Sequence, residues 1–91
     1  MKKFSLVSIL PQILLTHKEW FESKGNSGIF ADLSEEDLRG SNFKNAVLVE
    51  ANFQGADLRG ADFENADLRG ANLQDAQLDG ACLKNAMRTA E

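Results

Sequence analysis

A large apolar residue at every fifth position is the feature that most limits what this chain folds into. It runs through Leu33, Leu38, Phe43, Leu48, Phe53, Leu58, Phe63, Leu68, Leu73, Leu78 and Leu83. Two residues before most of them stands a small one, as at Ser41, Ala46, Ala56, Ala61 and Ala81. On an α-helix five residues advance the side chain by about 140°, so these positions would spiral over the whole surface. On a straight strand an odd spacing sends alternate residues to opposite faces. A backbone that turns a corner in every unit points each large residue at one axis.

The residue two places after the large one fits that reading. It is Gly40, Asn45, Gly55, Gly60, Asn65, Gly70, Gly80 or Asn85 in most units, the types that tolerate positive φ. Glu35, Glu50 and Asp75 depart from this, and a different turn type or local strain is expected at those three corners. Four corners close a square and give a twenty-residue period, seen in LRGSNFKNA (38–46), LRGADFENA (58–66) and LDGACLKNA (78–86). Residues twenty apart then stack in columns, with Phe43 directly over Phe63.

The repeated A-[DN]-[LF]-x-x unit resembles the signature of the pentapeptide-repeat family. The resemblance implies an all-β solenoid, a right-handed quadrilateral β-helix, here of about three coils over residues 31–88. At the ~4.8 Å spacing of neighbouring strands such a stack is about 14 Å tall. Fold says little about activity in such a family.

Residues 1–30 read as a cap with an α-helix at about 9–24, and 89–91 as a tail. Ser8 is the expected N-cap, with Pro11 in the first turn, where its missing N–H costs little. Leu10, Ile13, Leu14, His17, Trp20 and Phe21 fall on one stripe at helical spacing. Gly25 is a helix stop, and 26–28 are a linker. A solenoid needs such a lid, because its terminal coil exposes unpaired backbone and an apolar cross-section. The segment H-x-x-W-F-x-S-x-G-x-x-G from His17 to Gly28 also resembles a leader that precedes the repeats in some bacterial members. The basic start and apolar run invite a signal-peptide reading, but no small-x-small cleavage site follows. The run is also too short and interrupted to span a bilayer. A cytoplasmic protein is expected.

Charge is uneven: residues 1–30 hold four basic and two acidic groups, residues 31–91 six and twelve. An acidic solenoid disfavours nucleic-acid phosphate as a ligand. The single Cys82 forbids an intramolecular disulfide and reads as a neutral replacement at an Asp/Asn position. His17 has no second His or Cys as a metal partner, and Asp37 over Asp57 reads as a solvated face. No nucleophile–base pair, phosphate-binding glycine loop or ligand cluster is present, so neither catalysis nor a cofactor or metal is expected.

What remains is a rigid surface for another protein. Val47 and Val49 flank Leu48 where polar residues are the rule, and their column runs on to Met87. That face is expected to pack on the N-terminal segment or to receive a partner. The last coil, with Leu73, Leu78, Leu83 and Met87, has no second lid, and a homodimer through that end is expected. The expected function is a non-catalytic structural or interaction module. The resemblance implies an alternative, since some family members are dimeric rods that imitate duplex DNA and act on gyrase. A dimer of three-coil units would span only about 28 Å, or roughly eight base pairs.

Overall fold

The computed structural model describes residues 6–88; the tail 89–91 and the basic start 1–3 lie outside the described residues. A 3₁₀ turn over Leu6–Ile9 runs directly into one α-helix, α1, at Leu10–Glu22. Ser8 is therefore not the N-cap: Ile9 holds that place, with no side-chain capping bond. The 3₁₀ turn displaces the expected start by continuing the chain into the helix without a break. Pro11 sits in the first turn as expected. After α1 the chain reverses through Lys24 and Gly25, both left-handed (φ 58° and 86°), and Gly25 N–H donates to the Trp20 carbonyl. At Gly28 (φ 81°) the linker presses against α1, where a methyl group would collide with the Thr16 carbonyl and the Trp20 amide. Ile29 N–H donates to the Thr16 carbonyl beside it.

From residue 31 onward the backbone turns once per pentad. From Leu38 onward each corner closes by a bond from the small residue back to the large one, as in Ala46 N–H to Phe43 carbonyl and Ala61 N–H to Leu58 carbonyl. The third residue of each turn has positive φ, the requirement of a type II turn. Glu35 (φ 62°), Glu50 (φ 65°) and Asp75 (φ 63°) adopt the same conformation as the Gly and Asn corners. The turn type does not change at these three places. Pairing with the neighbouring coil imposes it, and the non-glycine residue carries the steric cost.

The residue before the large one has its own task. Asn42, Asn52, Asp62 and Asn72 each accept, through a side-chain oxygen, the N–H two residues on, at 3.0 Å. This local bond holds the corner and explains why Asp or Asn recurs there.

Successive coils meet through single parallel bridges: Asp32 with Asn52 with Asn72, Asp37 with Asp57 with Gln77, Asn42 with Asp62 with Cys82, and Val47 with Asp67 with Met87. The twenty-residue register thus holds along the stack. Among the described residues the coils of the expected all-β solenoid meet through isolated bridges, with no continuous strands. A side of the coil offers one bridged residue before the next corner, too little for an extended segment.

The large residues fill the axis. Phe43 and Phe63 stack with centroids 4.7 Å apart and planes 4° from parallel, while Phe53 meets both edge-on at 5.6 and 5.9 Å. Leu33, Leu38, Leu48 and Leu58 are sealed beside them. Ser41 takes a place that Ala61 and Ala81 hold in the later coils, and its buried hydroxyl has no partner. Ser41→Ala is expected to raise stability by about 1–2 kcal/mol in urea unfolding, because it removes an unsatisfied buried group.

Candidate functional site

The two ends of the stack are finished differently. At the first coil, α1 buries Leu10 and His17 and lays Ile13 and Leu14 against the core. His17 is fully enclosed. Its Nδ1 accepts the Ala31 N–H at 2.9 Å, so that nitrogen carries no proton, and Nε2 donates to the Val49 carbonyl at 2.8 Å. Both bonds replace ones that a preceding coil would make. Inner small residues donate to the large residue of the unit before, and inner corner carbonyls such as that of Gln54 accept from the coil before. The imidazole thus plugs two places at the start of the ladder, while the amides and carbonyls of Asp32, Asp37, Asn42 and Val47 find no backbone partner among the described residues. Trp20 stacks on the imidazole at 5.3 Å and Phe30 closes edge-on to both rings.

Beside this plug lies an apolar cleft of about 410 Å³, lined in part by Ile13, Thr16, Ile29, Phe30 and Leu33. Ile29 and Phe30 remain exposed there. Their exposure depends on where α1 comes to rest, which no local spacing encodes.

The last coil has no such finish among the described residues. Leu73, Leu78 and Leu83 are only partly buried, whereas their column mates Phe53, Leu58 and Phe63 are sealed. In the inner coils the amides of Phe53, Leu58 and Phe63 donate to Asn72, Gln77 and Cys82 of the next coil. The amides of Leu73, Leu78 and Leu83 have no such partner among the described residues. Three of the expected contact residues therefore form one floor, with Met87, half exposed, at its margin.

Val47 and Val49 divide. Val47 shares a face with Met87, with Asp67 between them. Val49 is buried and its carbonyl is held by His17, so its side chain offers a partner little surface.

On the sides, three aspartates are answered within their own units. Arg39, Arg59 and Arg69 each fork onto the aspartate two residues earlier, through Nε at 2.8 Å and through Nη2 at 2.6–2.8 Å. Arg39 also lies 3.7 Å from Asp57, so the stacked Asp37 and Asp57 share two guanidinium groups. Lys44 reaches Asp62 and Glu64 at 3.7 and 3.8 Å. The thrice-repeated D-L-R triplet held the signal for these pairs, which a column-by-column reading passes over. Among the described residues no group of three or more His, Cys, Asp or Glu is placed to hold a metal ion. Cys82 is exposed on the side of the last coil.

The arginine bonds lower the aspartate pKa values. The side-chain bond from Arg39 is the largest cause at Asp37, which falls to about 2, and Arg59 and Arg69 act likewise on Asp57 and Asp67. At Asp32 the hydroxyl of Ser34 is the main cause. A carboxyl lowered on folding stabilises the fold above its unfolded value of about 4 and loses that contribution as pH falls through its folded value. Thermal stability should therefore drop as pH is lowered from about 4 toward 2, by a small amount because Asp32 and Asp37 are exposed and Asp57 and Asp67 only partly covered. Melting followed by circular dichroism across that interval checks the sign.

Among the described residues no helix is long and apolar enough to cross a membrane. The family model for pentapeptide repeats matches residues 29–65 and 47–85, in eight copies. Among solved structures, the chain is similar to Rfr23, a pentapeptide repeat protein from the cyanobacterium Cyanothece 51142. Identity is 40% over 62% of this chain and 42% of that one, with a TM-score of 0.42. It is also similar to alr5209, a pentapeptide repeat protein from Nostoc Pcc 7120, at 35% identity over 80% of this chain and 73% of that one, with a TM-score of 0.32. The chain spans about two fifths of Rfr23. No curated protein matches the chain.

Proposed function

The chain belongs to the pentapeptide-repeat family, and on that premise we propose that it is a non-catalytic interaction module. Its stack is that family's right-handed quadrilateral β-helix, plugged at one end and receptive at the other. The observation that carries this reading is the contrast between the two terminal coils. One has Leu33, Leu38 and Phe43 sealed, with α1 packed on the core and His17 bonded to the Ala31 amide and the Val49 carbonyl, while the other leaves Leu73, Leu78 and Leu83 half covered, with their amides unpaired among the described residues. Such an edge with an apolar centre is a template for another chain. A second copy is the simplest occupant, giving a two-fold dimer, with Val47 and Met87 as a lesser apolar surface on one side.

Mimicry of duplex DNA receives less support. A DNA mimic needs rows of uncompensated negative charge, and here Asp37, Asp57 and Asp67 are each clasped by an arginine. Sedimentation of the full chain tests the module reading. A dimer at micromolar concentration that becomes monomeric on Leu78→Lys is expected, and a monomer at every concentration would remove the homodimer. A supercoiling assay at high molar excess is expected to show no effect on gyrase.

A further inference from the structure

We propose that the last coil meets its counterpart in one register, with Gln77 opposite the partner's Cys82 and Asn72 opposite the partner's Met87. This rests on the dimer reading above and adds which residues face one another. In the inner coils a bridged residue turns both its N–H and its carbonyl to the coil before, as Asn52 does toward Ala31 and Leu33. The residues on either side turn a carbonyl and an N–H to the coil after, as Ala51 and Phe53 do toward Asn72. On the last coil the groups left pointing outward are therefore the carbonyls of Ala71, Ala76, Ala81 and Ala86, the amides of Leu73, Leu78, Leu83 and Arg88, and the corner amides of Asp75, Gly80 and Asn85. Among the described residues nothing takes them.

Apart from its corner amides, which stay at the solvated rim, this edge is complementary to itself. A two-fold axis across the stack reverses the direction in which the second coil runs, so every side meets its opposite antiparallel. A carbonyl followed two residues later by an amide then faces an amide and a carbonyl. Each side gains two bonds without any change of backbone.

The climb of the coil selects the register. Met87 lies one bridge beyond Asp67, so twenty residues rise by one strand spacing, ~4.8 Å, and each side rises by about 1.2 Å. Side 72 is the lowest of the last coil, then 77, 82 and 87. Two such staircases close evenly only when low meets high, which places 72 on the partner's 87 and 77 on the partner's 82. Leu78 N–H then donates to the carbonyl of the partner's Ala81, and Ala76 accepts from the partner's Leu83.

Charge points to the same choice. Counting two residues outward from the 77–82 pair brings Asp75 opposite the partner's Lys84, twice by symmetry. An axis through Gln77 would set Asp75 against the partner's Asp79, like charges on both sides.

Opposed residues between the bonded pairs of an antiparallel ladder have Cα atoms about 4.5 Å apart, within disulfide range. Both Gln77 and Cys82 have exposed side chains. The full chain carrying Gln77→Cys is oxidised and run on a non-reducing gel, beside Gln77→Cys with Cys82→Ser and beside Arg59→Cys on the middle coil. A covalent dimer from the first protein alone is expected. The register is overturned if a protein that sediments as a dimer gives none, or if the double variant crosslinks equally well, since that sets 77 against 77. A wild-type chain that sediments as a monomer at all concentrations overturns the dimer itself, and the register with it.

Discussion

Phe63→Ala is expected to remove about 3–5 kcal/mol of folding free energy, the cost of deleting a sealed aromatic side chain from a core that cannot collapse around the gap. Phe63 is fully buried, stacked on Phe43 and met edge-on by Phe53, so one truncation breaks two ring contacts. The surrounding backbone is held by ladder bonds on both sides, from Asp62 N–H to Ser41 and from Phe63 N–H to Cys82, which resists relaxation into the cavity. For a domain whose total stability is on the order of 5–15 kcal/mol, that loss is a large share. Leu83→Ala lies in the same column one coil later and should cost far less, because its side chain is already partly exposed. Urea unfolding of the two variants measures the difference, and equal costs would mean that the last coil is as well packed as the middle one.

His17→Ala is expected to cost about 2–6 kcal/mol. Two buried backbone groups, the Ala31 amide and the Val49 carbonyl, lose their partners together, at roughly 1–3 kcal/mol each. The ring also supports Trp20 and Phe30, so its loss loosens the contact between α1 and the first coil. Trp20 is the chain's single tryptophan, and its fluorescence should shift to longer wavelength as the lid loosens. Leu15→Ala, on the exposed side of α1, should leave both stability and fluorescence near wild type. If His17→Ala did the same, the imidazole would be a passenger in the lid.

The stacking of the chain was legible in its sequence because one residue type in five must face the axis, and the spacing of Leu and Phe records that requirement directly. The position of α1 was legible to within a residue or two from its stripe and from Gly25. Other features depend on contacts that spacing does not encode. At Glu35, Glu50 and Asp75 either another turn or local strain was expected, and the second holds: the turn is kept and non-glycine residues take the left-handed conformation. Pairing between Asp37 and Arg39 follows from two side chains leaving one corner together, where column alignment looks only from coil to coil. Burial of Val49 follows from where the helix rests, and a hydrophobic residue out of pattern does not say which neighbour will cover it. The open last coil, by contrast, could be anticipated from the missing lid, while its unpaired amides became visible only once each bond in the ladder had been placed.

Amide hydrogen exchange, read residue by residue in dilute solution, tests the stacking most directly. Slow exchange is predicted at Phe53, Leu58 and Phe63, whose amides donate to the next coil, and fast exchange at Leu73, Leu78 and Leu83, which occupy the same columns one coil further on. Comparable rates at all six positions in a dilute monomer would contradict the twenty-residue register and the open end that follows from it.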